Sequence, residues 1–314
     1  MQVHTNPSEL QLFRPAVSIG IFDGVHRGHQ NLLDKVKDLA AHSHAQTLAI
    51  TFWPHPRIVL GKAGPDFKLL TSLEEKTEML GRFGINHLLV VPFTPEFANL
   101  SAQQFLDDFL DRYIKPGVIV VGDDLRFGAG GSGNLELLAT YGKSHNFEVI
   151  KLETHTENED RISSTLIRKR LMSGDLQSAN QLLGYPYFVR GEVATGNRIG
   201  NTIGFPTANI ECAACYKQIP SDGVYAVTVD WNGNSYKGML NIGVRPTIED
   251  DSHKTFEVNI FDMSADLYGH SLKVNFIARL RDEKKFNGLE ELKAQLVLDR
   301  EASIFAIENF KKSI

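Results

Sequence analysis

The hydrophobic pattern of this chain changes period once, near Tyr185, and that change predicts two folds rather than one. Before it, short apolar runs at Val17–Phe22, Thr47–Phe52, Leu88–Val91, Val118–Val121 and Phe147–Leu152 alternate with segments of helical spacing. One such segment carries Leu32, Leu33, Val36, Leu39 and Ala40; another places Phe105, Leu106, Phe109, Leu110 and Tyr113 on one face. Strands apolar on both faces and separated by helices predict a parallel sheet covered on both sides. After Tyr185 the helical spacing nearly vanishes. Strand patterns follow one another at Phe188–Val193, Val224–Trp231, Tyr236–Ile242, Thr255–Phe261 and Leu272–Leu280. Turn signals such as Asn232-Gly233-Asn234 separate them, which predicts an antiparallel barrel or sandwich. Helices from about Leu289 to Phe310 close the chain, with Leu289, Leu292 and Leu296 as the expected buried stripe. The boundary is expected at Gly184-Tyr185-Pro186, giving domains 1–184 and 185–314. A length of 314 residues lets each half bury its own core.

Composition narrows the function classes. Lys and Arg total 33 against 38 Asp and Glu, a formal charge of -5, so the basic excess of a nucleic-acid-coating protein is missing. Residues 1–15 hold no apolar run of a secretory signal, and no stretch approaches the ~20 apolar residues of a membrane span. A cytoplasmic protein with neither membrane nor nucleic-acid partner is expected; the sequence leaves its oligomeric state open. Cys212 and Cys215 form one C-x-x-C with no second pair to complete a zinc site, and read as small loop residues.

The sharpest local signal is G-I-F-D-G-V-H-R-G-H, Gly20 to His29, where a strand ends and a helix begins. An open parallel sheet binds ligands at such corners, and a helix N-terminus offers free N–H groups to phosphate. His26 and His29 are donor candidates, and Gly20, Phe22, Asp23, Gly24 and Gly28 shape the turn. Further on, Ile162-Ser163-Ser164-Thr165-Leu166-Ile167-Arg168 offers Ser163 or Ser164 as a helix cap, with Thr165 and Arg168 able to reach a phosphate. An ordinary capped helix with a solvated arginine fits this segment equally well. Gly128-Ala129-Gly130-Gly131-Ser132-Gly133 matches G-x-G-x-x-G, but residues 122–127 separate it from its strand, which argues against a dinucleotide fingerprint. In the second half, Gly204-Phe205-Pro206-Thr207-Ala208-Asn209 follows a region containing Gly191, Gly196 and Gly200. Glycines of this kind can bring backbone N–H groups to phosphates, and Thr207 and Asn209 offer hard oxygens to magnesium. A turn-rich barrel connection explains the same residues.

Together the H-x-G-H and I-S-S-T-x-x-R segments resemble the H-x-G-H nucleotidyltransferase superfamily. Two loops narrow the likeness: Thr51-Phe52-Trp53-Pro54-His55-Pro56 and Val121-Gly122-Asp123-Asp124-Leu125-Arg126-Phe127-Gly128. Both are similar to the bacterial bifunctional riboflavin kinase/FAD synthetase family, in which such loops line the flavin and ATP pocket. The resemblance places Pro54, His55, Pro56, Asp124 and Phe127 there, with Leu125 where the family usually has phenylalanine. Pro206-Thr207-Ala208-Asn209 is the family's riboflavin kinase hallmark. Asn241-Ile242-Gly243-Val244-Arg245-Pro246-Thr247 and Arg281-Asp282-Glu283-Lys284-Lys285-Phe286 are similar too, and Arg281 is carried over as a flavin contact. The family's catalytic glutamate falls on Glu257, whose strand puts Phe256, Val258 and Ile260 on one face and Glu257 and Asn259 on the other. The resemblance implies an α/β Rossmann-like nucleotidyltransferase domain followed by a six-stranded β-barrel riboflavin kinase domain. It implies ATP as substrate, Mg2+ as cofactor, and riboflavin, FMN and FAD as ligands. A single-activity enzyme with one degenerate domain and a non-catalytic flavin- or nucleotide-binding module remain the alternatives.

Overall fold

The structure is a computed structural model that describes residues 1–153, 156–157, 160–194, 204–212, 216–244, 254–263 and 265–312. The chain gathers into two compact units, Met1–Ser164 and Thr165–Ile314.

The first unit is built on six parallel strands: β1 (Gln2–His4), β2 (Ala16–Ile19), β3 (Thr47–Trp53), β4 (His87–Pro92), β5 (Val118–Gly122) and β6 (Glu148–Leu152). Their order in the sheet is β1-β4-β3-β2-β5-β6. Successive residues point to opposite faces, and both faces are apolar. Val17, Ile119 and Val121 meet Leu106, Phe109 and Leu110, while Ala16, Val118 and Val120 meet Val36 and Ala40 of the helix Arg27–Ser43. The sequence predicts five of these strands. It misses β1, whose three residues are too few to show a period; backbone pairing of Val3 with Leu88 defines it. The helix over Phe105–Ile114 is π-type, and the N–H of Lys115 reaches back five residues to the Leu110 carbonyl. Its buried residues at 105, 109 or 110, and 114 suit that wider turn. Strand β2 stops at Ile19, three residues before the expected Phe22, because Phe22 and Val25 adopt left-handed backbone, with φ of 51° and 36°. A small ribbon, β7 (Thr156–Glu157) and β8 (Asp160–Arg161), follows.

The second unit has the helices Ser164–Met172 (its first residue counted with the first unit) and Leu176–Leu183, then a closed antiparallel barrel. Its strands are β9 (Phe188–Ala194), β10 (Ala208–Cys212), β11 (Gly223–Trp231), β12 (Asn234–Val244), β13 (Lys254–Ile260) and β14 (Ser271–Arg281), ordered β10-β13-β12-β11-β14-β9. Five match the predicted strands. The sixth, β10, reads in the sequence as part of a loop, since Ile210 alone breaks its polar and small-residue run; pairing with β9 and β13 makes it a strand.

The helix Leu289–Lys312 lays Leu296 and Ile304 against Phe205, Met239 and Phe261, and Ile307 against Ala226 and Ile277. Leu289 is exposed, contrary to the expected stripe; the most buried positions of the helix are Asp299, Ser303 and Ile307. Hydrophobic periodicity misses this stripe because two of its three members are polar. Asp299 is buried because Arg281 clasps it: Nε and Nη2 donate to its carboxylate at 2.9 and 2.7 Å.

Two candidate active sites

In the first unit the chain order reverses direction across the sheet between β2 and β5, which is where an open α/β sheet opens a crevice. The corner after β2 therefore lies between the loops that follow β3 and β5. All three of the motif-bearing loops meet at one sheet edge: residues 20–26, 53–56 and 123–128.

His26 caps the helix Arg27–Ser43, its Nδ1 accepting the N–H of His29 at 3.4 Å. In a neutral ring that leaves the proton on Nε2. A Cβ on residue 28 would stand 3.2 Å from His26 Nδ1, so glycine there leaves room for the capping ring. His29 stacks on His26 with ring centroids 3.7 Å apart, and Phe22 meets His29 edge-on at 5.3 Å. Burial, then the neighbouring His26 and Lys76, hold the His29 pKa well below the usual imidazole value. His29 is thus neutral at pH 7, with one ring N–H. Asp23 ties the corner to the segment before the next helix: its Oδ1 accepts the N–H groups of Leu70 and Thr71 at 2.9 and 3.1 Å. Gly24 donates its N–H to the Thr71 hydroxyl at 3.1 Å. Ser164 ties in from the far end of the unit, donating its hydroxyl to the Asp23 carbonyl at 2.9 Å.

The flanking loops are equally well built. His55 is buried and caps Pro56–Val59, with Nδ1 accepting the Arg57 N–H at 3.1 Å; Pro54 precedes it and Pro56 is the first helical residue. Phe127 is half-buried against Phe105 at 5.1 Å, and Leu125 packs on the same core. Asp124 is exposed and ion-paired with Arg161 at 3.0 Å. The glycine run 128–133 forms a 3-10 turn, and the next helix starts only at Leu135 under an Asn134 cap, so it is no dinucleotide corner. Ser163, Thr165 and Arg168 lie at the start of the helix Ser164–Met172, with Thr165 exposed and Arg168 half-buried.

In the second unit Glu257 stands on β13 directly opposite Asn209 of β10 on one side and Asn241 of β12 on the other. Residues paired across strands share a face, so the carboxylate is flanked by two carboxamides. Glu283 joins them, accepting from Asn241 Nδ2 at 3.1 Å. Asn259, two residues along the same face, donates to the Pro206 carbonyl at 2.6 Å and so fixes the residue before Thr207. Beside Pro206 and Thr207 opens a cavity of about 400 Å³ whose walls mix apolar Val193, Val258, Ile260 and Leu267 with Asp266 and Tyr268. Gly191 lies inside β9, where a side chain would overlap Ile210 and the Glu211 carbonyl; barrel packing accounts for it. Gly196, Gly200 and Cys215 lie outside the described residues. Arg281 is committed to Asp299 and has Phe286 under its guanidinium at 5.8 Å.

Comparison with known proteins agrees with this division. The family model for FAD synthetase matches residues 11–166, and that for riboflavin kinase matches residues 183–304. A bifunctional riboflavin kinase/FMN adenylyltransferase of Listeria monocytogenes is 41% identical, covering 91% of this chain and 90% of that protein. The chain belongs to the bifunctional riboflavin kinase/FMN adenylyltransferase family. The Bacillus subtilis member is 38% identical over 95% of this chain and 94% of its own length. The crystal structure of a macrolide-efflux protein from Streptococcus pneumoniae shares the fold, with a TM-score of 0.88 at 34% identity, covering 96% of this chain and 97% of that one. Among the described residues no helix is long and apolar enough to cross a membrane.

Within this family frame, the sequence reading assigns no role to three residues that stand in or beside the candidate sites, Lys76, Asn241 and Glu283, and treats Asn259, on the Glu257 face, as non-essential. Asn241 and Glu283 stand inside segments quoted for their likeness to the kinases, but only strand register shows them beside Glu257.

Proposed function

We propose that the second unit transfers the γ-phosphate of ATP to riboflavin, giving FMN, and that the first unit joins FMN to the adenylyl group of another ATP, giving FAD and pyrophosphate. The supporting observation is that each unit holds its own donor set: the stacked His26–His29 pair in one, and Glu257 between Asn209 and Asn241 in the other.

For the kinase step, Glu257 accepts the proton of the ribityl 5′-hydroxyl as that oxygen bonds to the γ-phosphorus and the bond to ADP breaks. The carboxamides of Asn209 and Asn241 flank the carboxylate on the same face. The cavity next to Thr207, with its apolar residues for the ring, takes the adenine base, which sets the phosphates toward Thr207. The Thr207 hydroxyl and Asn209 carbonyl fit Mg2+ because both are hard oxygens. Such a donor set suits a magnesium ion held largely by substrate phosphates, where it neutralises charge.

For the adenylyl step, an FMN phosphate oxygen bonds to the α-phosphorus of ATP while pyrophosphate departs with the electron pair. His26 Nε2, His29 and the N–H groups at the helix start donate to the phosphate oxygens. Arg168 is assigned to the same charge on the resemblance alone. The flavin contacts of residues 54–56, Asp124, Phe127 and Arg281 rest on the same footing. This reading places the protein in the cytoplasm, where ATP is supplied.

The test is direct. Wild-type protein incubated with riboflavin, ATP and magnesium is sampled over time and its flavins are resolved by chromatography. FMN followed by FAD is expected. FMN without FAD leaves a kinase only, and unchanged riboflavin contradicts the proposal.

A further inference from the structure

Lys76 is buried in the first unit, with 2% of its surface exposed. Its helix, Leu73–Arg82, starts under a Ser72–Glu75 capping box, and Asp23 pins the preceding residues Leu70 and Thr71 to the phosphate corner. The ammonium of Lys76 is thereby held between that corner and the end of β3. Among the described residues it makes one long hydrogen bond, to the Thr51 hydroxyl at 3.4 Å, and lies 5.6 Å from the centre of the Trp53 ring. Thr51 Oγ1 in turn donates to the Ile21 carbonyl at 3.1 Å, in the first turn of the corner.

An ammonium has three N–H donors, and one weak bond leaves it poorly paid for leaving water. The charged or titratable groups facing it are Asp23 from the corner and His29 from the helix Arg27–Ser43; β3 offers only a hydroxyl and an indole. Asp23 does not complete its coordination, since its Oδ1 already takes the N–H groups of Leu70 and Thr71 and its Oδ2 that of Leu70 at 3.2 Å. What the site lacks is an oxyanion, and phosphate oxygens are what the adenylyl reaction brings.

We infer that Lys76 is a phosphate-contacting residue of the adenylyl transfer, donating to an oxygen of ATP or of FMN. The inference rests on the adenylyltransferase reading above. Lys76 forms no covalent bond; it stabilises negative charge as the new P–O bond forms and pyrophosphate leaves. Burial brings its pKa down to about 8, with Asp23 opposing, so the charge is available at pH 7 and withdrawn in mild alkali.

The experiment measures FAD formation from supplied FMN by the wild type, Lys76→Met and Lys76→Arg, alongside FMN formation from riboflavin. Lys76→Met is expected to slow FAD formation about 10²–10³-fold and to leave FMN formation intact. A raised KM for ATP alone assigns the contact to the nucleotide, and one for FMN alone assigns it to the flavin phosphate. The kcat/KM profile of the wild type is expected to fall above about pH 8, and that limb is expected to vanish in Lys76→Arg, which keeps its charge. Lys76→Met making FAD at the wild-type rate would overturn the inference. So would an alkaline limb unchanged in Lys76→Arg, a readout that stands even where the methionine variant fails to fold. A wild type that makes no FAD removes the adenylyltransferase reading itself, and this inference with it.

Discussion

Asn259 Nδ2 donates to the carbonyl of Pro206 at 2.6 Å, linking the strand that carries Glu257 to the segment that carries Thr207. Asn259 is buried, and its partner carbonyl immediately precedes the threonine assigned to phosphate and magnesium. The residues proposed as base and as phosphate ligand thus share one mechanical connection.

Removing that connection is expected to affect nucleotide handling rather than the base. An ordinary net hydrogen bond contributes about 1 kcal/mol, and 1.4 kcal/mol is tenfold in affinity. Asn259→Ala should therefore raise the KM for ATP in the kinase step by about five- to tenfold with a smaller loss in kcat. FAD formation from supplied FMN should not change. Steady-state kinetics of both half-reactions decide this; a pure kcat loss would place Asn259 in the chemistry instead.

The buried ammonium of Lys76 also predicts a pH dependence of stability. Its pKa falls from 10.5 to about 8 on folding, so between those values the unfolded chain binds more protons, and stability rises with pH. The full penalty is present below about pH 8 and amounts to about 3 kcal/mol. Lys76→Met should thus be more stable than the wild type at pH 7, and the gap should close as pH approaches 10. Urea unfolding followed by Trp53 emission in a Trp231→Phe background reports this for the first unit. A gap that is constant with pH contradicts it. A cation that weakens its own unit is what a site organised around phosphate charge would carry.

The Arg281–Asp299 pair is expected to be structural. The guanidinium is about a fifth exposed and the carboxylate nearly enclosed, at 22% and 5% of their side-chain surfaces. Breaking such a pair leaves one charge uncompensated, at a cost of about 2–3 kcal/mol, less than for a fully buried pair. Arg281→Leu and Asp299→Asn should each lower the thermal midpoint, and the double variant should recover part of the loss. If Arg281→Leu instead leaves stability intact and raises only the KM for riboflavin, Arg281 is a flavin contact.

The corner at Gly20–His29 is legible in the sequence because its information is local: a strand end, a turn and two histidines three residues apart. Glu257 is legible as a polar position on an alternating strand, and its role only through resemblance. Its partners are not, because Asn209 and Asn241 reach it by barrel register, which no single strand pattern encodes. Lys76 is hidden for a different reason. The sequence analysis draws nothing from Glu74-Glu75-Lys76, since a charged run carries no apolar period; in the fold Glu75 is consumed by the Ser72 cap and Lys76 packs over Thr51 and Trp53, more than twenty residues away. The terminal helix misleads in the opposite sense, since Leu289 is exposed while Asp299 and Ser303 are buried.

The central claim is that the two transfers occupy separate sites, one per unit. It is tested most directly by mixing two single-site variants, His29→Ala and Glu257→Ala, with riboflavin, ATP and magnesium. Alone, His29→Ala should accumulate FMN, with FAD formation slowed about 10²–10³-fold, and Glu257→Ala should leave riboflavin largely unconverted. Together they should form FAD, because FMN released by one variant is adenylylated by the other. A mixture that makes no more FAD than either variant alone, or variants each impaired equally in both half-reactions, would contradict the account.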